Sequence, residues 1–383
     1  MNRVLIDVNA LSHNINVIDR WMREHNSSWT LVTKVLCGHH GTLKALHELG
    51  IKSIGESRLA NIRAMKEVSP EIETWYLRLP YFSAIPDIVE LGDVSLNSET
   101  EIIEEINMEA KRQDKLHGVI VMIELGDLRE GILPGTLVEF YNRIFKLPNV
   151  KVLGIGSNLG CLAGAIPNED QLMQLVLYKE LLELKFGHTL PLISAGSSSL
   201  LPLLLEGKVP GTINHFRIGE AVFLGTDLIN GGTLRGLRND AITLEAEVAE
   251  IKEKSLVTMG ENGVSTPFES IDDNDFTPGQ RGYRAIVTIG QLDTEVAGLT
   301  PMNEDYNIAG ASSDLTVVNI GDEQGDLKVG DVIKFRPNYG ATLRLMNNRY
   351  IDHIIIPPNK DSLKQKEEAG EDSFSRIADE EIQ

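Results

Sequence analysis

The feature that most constrains this chain is the alternation of short apolar runs with helical stretches over its first part, about 220 residues. Leu11, Ile15, Ile18 and Met22 fall at helical spacing, and Trp29 to Val35 reads as a strand. Further helices are predicted over 43–49, 59–68, 85–91, 99–113, 136–147, 170–184 and 200–206. Strands are predicted between them, over 51–54, 73–79, 94–96, 118–125, 150–155, 192–195, 212–217 and 221–224. Repeated strand–helix units imply parallel strands joined by right-handed crossovers. Eight or so short units fit a closed (β/α)8 TIM barrel, with an open doubly wound sheet as the alternative.

The pattern changes after Gly231-Gly232. Ile242 to Ile251, Tyr283 to Ile289, Leu315 to Ile320 and Val332 to Arg336 read as strands between Gly, Asp and Pro turns. The expected organisation is therefore α/β: a barrel over 1–233, a mostly β domain over 234–357 and an acidic tail over 358–383. The tail is rich in Glu, Asp, Lys and Ser, which predicts a solvated helix or disorder.

Charge narrows the partners. Thirty-six bases against fifty-six acids leave a net charge of −20. That balance argues against nucleic acid and anionic membranes, whose phosphates need clustered Lys and Arg. The two cysteines, Cys37 and Cys161, make no disulfide framework and fit a reducing compartment. Met1 to Asp7 holds no apolar signal-peptide core, and the apolar stretch Leu190 to Leu205 is broken by Pro191 and Pro202. A cytoplasmic protein is expected. Cys161, in a Gly-rich loop, is expected to be buried or half-buried.

Three segments could carry chemistry. Lys34 ends an apolar strand in Thr33-Lys34-Val35-Leu36-Cys37-Gly38. A lysine with a buried stem can lose its charge and become a Schiff-base nucleophile, although a strand-end lysine more often snorkels to solvent. Ser194 to Leu201, with its three serines, runs from a strand into a helix, an arrangement that binds phosphate through N–H groups and hydroxyls. Arg217-Ile218-Gly219-Glu220 closes a later strand, and in barrel enzymes the last strand ends commonly hold a ligand phosphate. Taken singly, each could be a cap or a surface ion pair.

Together these segments resemble the alanine-racemase family, from about Leu5 to His353. The segments Gly126-Asp127-Leu128-Arg129-Glu130-Gly131, Ser197-Ser198-Ser199 and Arg217 to Gly225 look most like its ornithine-racemase branch. The resemblance implies a barrel followed by a β domain, the cofactor pyridoxal 5'-phosphate (PLP), a free amino acid as substrate and a homodimer with shared active sites. Lys34 matches the lysine that binds PLP and serves as one base. Arg129 matches an arginine near the cofactor oxygen and the substrate carboxylate. Ser197 and Ser198 match the phosphate-binding serine region, and the backbone N–H groups of Gly219 and Glu220 match phosphate donors. Arg217 matches the arginine facing the pyridine nitrogen. A guanidinium donates and cannot accept, so that nitrogen stays unprotonated and the ring is a weaker electron sink. Protonation at the substrate Cα, hence racemisation, is then favoured over transamination.

The chain also departs from the pattern. Met122 stands where the family often has a lysine that can be carbamylated, Asn158 where a His is usual, and Ser313-Asp314 where the family has Met-Asp. Gln291 replaces the catalytic tyrosine in Ile289-Gly290-Gln291-Leu292-Asp293. An amide does not titrate near neutrality, so the second proton must come from another group. Tyr339 and Asp293 are the candidates, Tyr339 ahead and a substrate-held water third, on the expectation that each residue lies on or at the end of a strand. His39 and His40 are read as loop packing, and no metal is expected, since no His-x-Cys pattern follows.

The expected activity is PLP-dependent racemisation of a free amino acid, with ornithine or lysine as candidate substrates. The alternatives are a non-catalytic PLP-binding protein and a fold type III lyase or aldolase acting on D-amino acids. A large β domain argues against the carrier, whose known form has one domain.

Overall fold

In the computed structural model, residues 2–160, 162, 164–257, 276–277 and 279–358 are described. In chain order the first elements are β1 (Arg3–Asp7), α1 (Val8–Glu24), β2 (Ser28–Val32), α2 (His40–Glu48), β3 (Ser53–Glu56) and α3 (Leu59–Val68). Next come β4 (Glu73–Tyr76), α4 (Ile85–Leu91), β5 (Val94–Asn97), α5 (Thr100–Arg112), β6 (His117–Met122), α6 (Leu137–Ile144), β7 (Val150–Gly156) and α7 (Glu169–Phe186). Then follow β8 (Leu192–Ser197), α8 (Leu201–Leu205), β9 (His215–Ile218) and α9 (Glu220–Leu224). The remainder comprises β10 (Ile242–Ser255), β11 (Arg281–Val287), β12 (Leu299–Pro301), β13 (Asn307–Ala311), β14 (Thr316–Gly321), β15 (Val332–Pro337), α10 (Tyr339–Met346) and β16 (Asp352–Ile356).

Strands β2 to β9 pair in sequence order, all parallel, and β9 closes on β2, with Thr30 beside Arg217 and Leu31 beside Ile218. Parallel strands must be covered on both faces, and β6 accordingly buries every residue. Inside, Trp75, Val94, Leu96, Ile120 and Met122 form the packed floor. Outside, Tyr76 packs with Ile62, Ala84 and Ile88 of the surrounding helices. Gly196 lets β8 approach β9, since a Cβ there would lie 1.9 Å from the Phe216 ring. Helix α7 is bounded by local chemistry: Asn168 and Gln171 make a reciprocal capping box, and Gly187 ends it at φ 61°.

The second unit is an eight-stranded sheet with the order β12-β15-β10-β11-β14-β13, to which β1 adds alongside β10 and β16. Arg3 and Lys334 flank Glu245 from its two neighbouring strands, at 2.6 and 3.0 Å. These cations outweigh burial and hold the Glu245 carboxyl below its usual range.

The closed barrel and the β unit match the expected fold, with two differences. Contacts divide the chain into Asn14–Leu237 and a unit joining Met1–His13 to the segment from Arg238. The expected barrel domain over 1–233 thus gives up its first residues, because β1 finds its partners in the β sheet. Residues 221–224 were expected as a strand and form helix α9, opened at Gly219 and closed by Gly225 at φ 65°. Four consecutive apolar residues carry no period to separate the two. The expectations for Cys161 and for the tail from residue 359 fall outside the described residues. Among those described, no helix is long and apolar enough to cross a membrane.

Candidate active site

Lys34 does not end β2 itself. The strand stops at Val32, and Lys34–Leu36 form one 3-10 turn closed by Cys37 at φ 50°. Gly38 follows at φ 76°, where a Cβ would lie 2.8 Å from Asn61 Oδ1. The turn leaves Lys34 half-buried at the C-terminal rim of the barrel. Beside it, the last residue of β3 is a carboxylic acid, Glu56, only 1% exposed. Its Oε2 accepts from the Ser57 and Arg58 N–H groups and from Asn61 Nδ2, at 3.1, 3.3 and 2.9 Å. Its Oε1 has no hydrogen-bond partner. Burial pushes the Glu56 carboxyl up, and these bonds with the Lys34 charge pull it only partly back. Burial and Glu56 together push the Cys37 thiol up to about 11, so it stays protonated at neutral pH.

Arg217 projects from β9 and is 6% exposed. Its Nη1 donates to Ser194 Oγ at 2.6 Å and to the Ser194 carbonyl. Its Nη2 donates to the Ser157 carbonyl at 2.9 Å and to Asn158 Oδ1 at 2.8 Å. The guanidinium is therefore held by Ser157 and Asn158 just after β7 and by Ser194 within β8. Below it, His215 stacks on Trp75 with ring centroids 4.2 Å apart and bonds Ser194 Oγ and Thr30 Oγ1. Burial, aided by Arg217, lowers the His215 pKa to about 3, so the ring is neutral.

The serine segment also sits on this rim. Ser197 and Ser199 share a hydroxyl contact of 2.6 Å, and Ser199 donates to the Leu159 carbonyl at 2.9 Å. Ser198 Oγ accepts from the Ala221 N–H at 3.2 Å, tying the end of β8 to the turn after β9. Gly219 lies against β2, since a Cβ there would be 2.7 Å from the Val32 carbonyl oxygen. Glu220 follows, its carboxyl pushed up by burial.

Arg129 lies in the loop after β6 and pairs with Glu130 through both Nε and Nη2, the latter at 2.9 Å. Glu130 Oε1 also accepts from Asn158 Nδ2. Lys34, Arg129, Asn158, Ser197, Ser198, Arg217, Gly219 and Glu220 thus all belong to the barrel unit, at or after strand ends. The expectation missed Glu56, Glu130 and His215. Glu56 carries a readable signal, a charge ending the strand Ser53-Ile54-Gly55-Glu56; the other two depend on long-range partners.

In the β unit, the two proton candidates are not on strands. Gln291 and Asp293 lie in a turn beyond β11, where Asp293 Oδ2 accepts from the Gly290 N–H at 3.0 Å and Oδ1 from Asn348 Nδ2 at 3.3 Å. The expected shared strand face is corrected accordingly: Gly290 turns the chain, packed so closely on Ser313 that a Cβ would lie 2.4 Å from its carbonyl oxygen. Tyr339 is likewise the first residue of α10, after the Asn338 cap, rather than a strand end. Of the two histidines expected to pack in a loop, His39 sits at the N-cap of α2 with Nδ1 2.8 Å from Thr42 Oγ1, whereas His40 is exposed as the first residue of that helix. Among the described residues, no three His, Cys, Asp or Glu side chains gather as a metal site.

A parallel eight-stranded barrel with a lysine turn after its first strand and a buried arginine on its last, in a chain that also forms a mostly antiparallel β unit, defines the architecture of a known enzyme class. The family model for the alanine racemase N-terminal domain matches residues 6–227, and the chain belongs to the alanine racemase family. It is 35% identical over 357 residues to an ornithine racemase of Acetoanaerobium sticklandii, covering 92% of this chain and 99% of that one. It is 33% identical over 360 residues to a lysine racemase of Thermotoga maritima, covering 93% and 98%. Among solved structures, the biosynthetic alanine racemase from Pseudomonas aeruginosa aligns with a TM-score of 0.71 at 17% identity, over 93% of this chain and 99% of that one. The alanine racemase from Bartonella henselae with covalently bound pyridoxal phosphate aligns at 0.68 and 15% identity, with the same coverage.

Proposed function

We propose that this protein is a PLP-dependent racemase of a free amino acid with a basic side chain, ornithine or lysine. The observation that carries the proposal is the placement of Lys34 and Arg217 on neighbouring barrel strands, Lys34 in the turn after β2 and Arg217 within β9, which pairs with it. The names of the two curated relatives support the basic substrate.

The donor set suits PLP. Lys34 offers the amine, the Ser197–Ser199 turn and the Gly219 and Glu220 N–H groups offer donors for a phosphate, and Arg217 offers a fixed cation for the ring. When bound, PLP supplies an aldehyde for amine condensation and a ring that stabilises charge at the substrate Cα. Lys34 holds the cofactor and moves the proton on one face of that carbon. Arg217 would face the ring nitrogen as a donor, and a guanidinium fixed by Ser194, Ser157 and Asn158 cannot accept the ring proton, so that nitrogen would stay unprotonated. Arg129 binds the substrate carboxylate, and Asn158 orients Arg217. The opposite proton falls to Tyr339 or Asp293, and the working unit is a homodimer.

The test is direct. Purified protein incubated with PLP should turn yellow, and borohydride should fix the label on Lys34. Chiral chromatography should show L-ornithine or L-lysine converted to a mixture of enantiomers. Lys34→Ala should lose the label and several orders of magnitude of turnover, since anchor and base go together. A protein that cannot be loaded, or that interconverts no amino acid, would end the proposal.

A further inference from the structure

Glu130 stands between two of the arginines assigned above. Its carboxylate takes Nε–H and Nη2–H of Arg129 together, a fork geometry that fixes a guanidinium in plane as well as in place. From the other side Asn158 Nδ2 donates to Oε1, while Asn158 Oδ1 accepts from Arg217 Nη2 at 2.8 Å. Only one orientation of the amide serves both neighbours, because a carboxylate only accepts and a guanidinium only donates. The chain of bonds therefore runs Arg129, Glu130, Asn158, Arg217, across the ends of β6, β7 and β9.

The loop that carries Glu130 is built to hold it. Glu124 Oε2 accepts the Arg129 N–H at 2.9 Å, and Ile123 bridges to Ile132. Leu128 is held at φ 56° and Gly131 at φ 141°, where a Cβ would lie 2.3 Å from Glu124 N. The Glu130 side chain is 10% exposed against 38% for Arg129, so the acid is the buried member of the pair. A second acid, Asp127, lies 3.9 Å from Arg129 Nε with its side chain 3% exposed. It also receives the Leu162 N–H at 3.0 Å, which closes the loop from the far side.

We infer that Glu130 is a positioning residue that orients Arg129 and, through Asn158, couples it to Arg217, so that the carboxylate-binding and ring-facing arginines act as one unit. This rests on the proposed function for its consequence in turnover, and on the apoprotein for its geometry. Losing the charge in Glu130→Gln breaks the bidentate fork on Arg129, with Asp127 at 3.9 Å too far to replace it, and leaves Asn158 without an anionic acceptor. KM for the amino acid should rise about ten- to a hundredfold, the range for a charge-assisted bond, while kcat falls by less. Glu130→Asp keeps the charge and should recover part of that loss.

The experiment pairs these kinetics, with L-ornithine and L-lysine, with NMR of apoprotein labelled at arginine nitrogen. The Arg129 Nε–H signal, assigned by its loss in Arg129→Lys, should be sharp and slowly exchanging in the wild type. It should exchange rapidly in Glu130→Gln and slowly again in Glu130→Asp, at unchanged thermal midpoints. An unchanged KM or an unchanged Arg129 signal in a folded Glu130→Gln protein overturns the inference. A wild type that loads PLP but racemises nothing sinks the proposed function instead, and the apoprotein signal still decides whether Glu130 orients Arg129.

Discussion

The Arg217 guanidinium and the His215 imidazole share one hydroxyl: Ser194 Oγ lies 2.6 Å from Arg217 Nη1 and 2.8 Å from His215 Nδ1. Arginine can only donate, so Ser194 accepts from it and satisfies its own O–H by donating to Nδ1. The imidazole then carries its proton on Nε2 and donates to Thr30 Oγ1 at 3.1 Å. Thr30 passes the bond to Ser53 Oγ at 2.8 Å. A polar line thus runs from the rim into the barrel floor with Arg217 at its head. His215 can serve as acceptor there because burial and the adjacent cation keep it neutral.

Ser194→Ala should break this line at its centre. Both His215 Nδ1 and one Arg217 donor lose a buried partner, which should cost about 1–3 kcal/mol of stability in urea unfolding. Nitrogen-resolved NMR of His215 should show the Nε2–H tautomer in the wild type and a changed Nδ1 environment in the variant. A wild-type ring protonated on Nδ1 would refute the assignment.

Glu56 gives a pH-dependent prediction. Its folded pKa lies above the ordinary carboxylate value of 4.5, chiefly through burial. The folded state therefore resists ionisation of this group. Its stabilising contribution is complete below about pH 4.5 and is lost as pH rises through the folded value. Glu56→Gln removes the ionisation and keeps an oxygen for the Ser57 and Arg58 N–H groups. The variant should match the wild type in acid and gain on it towards neutrality. Thermal midpoints across pH 4 to 8 that stay parallel would rule this out.

Parts of this architecture were legible because the signals are local. Residues 85–91 were expected as a helix over the observed limits, with Pro86 near its start and Gly92 just past its end. Lys34 and Arg217 were legible as charges ending apolar runs. Strand β1 was not, since five residues acquire meaning only from pairing with β10 and β16, more than 230 positions away. The roles of Glu130 and His215 were hidden for the same reason. Each is defined by partners on other strands, and neither residue type departs from its local surroundings. The turn at Gly290 was hidden because it is set by the close approach of Ser313, a long-range contact, while the two-residue spacing of Gln291 and Asp293 by itself reads as one strand face.

The last prediction separates the two candidates for the second proton. Racemisation needs an acceptor on one face of the substrate Cα and a donor on the other, and the Gln291 amide can be neither near neutrality. Asp293 engages both carboxylate oxygens structurally, Oδ2 with the Gly290 N–H of its own turn and Oδ1 with Asn348 Nδ2 beyond α10. It is built to hold that turn, so Asp293→Asn should lower the thermal midpoint and slow both directions alike. Tyr339 is half-buried at the first position of α10, capped by Asn338 Oδ1 on the Ala341 N–H at 2.9 Å, and keeps a phenol able to exchange a proton. Tyr339→Phe should leave the fold and PLP loading intact. In deuterated water it should slow Cα exchange from one enantiomer far more than from the other, because in the proposed reaction Lys34 would still serve its own face. Symmetric exchange at the wild-type rate in Tyr339→Phe would remove Tyr339 from the reaction. A directional loss in Asp293→Asn would transfer the role to that carboxylate.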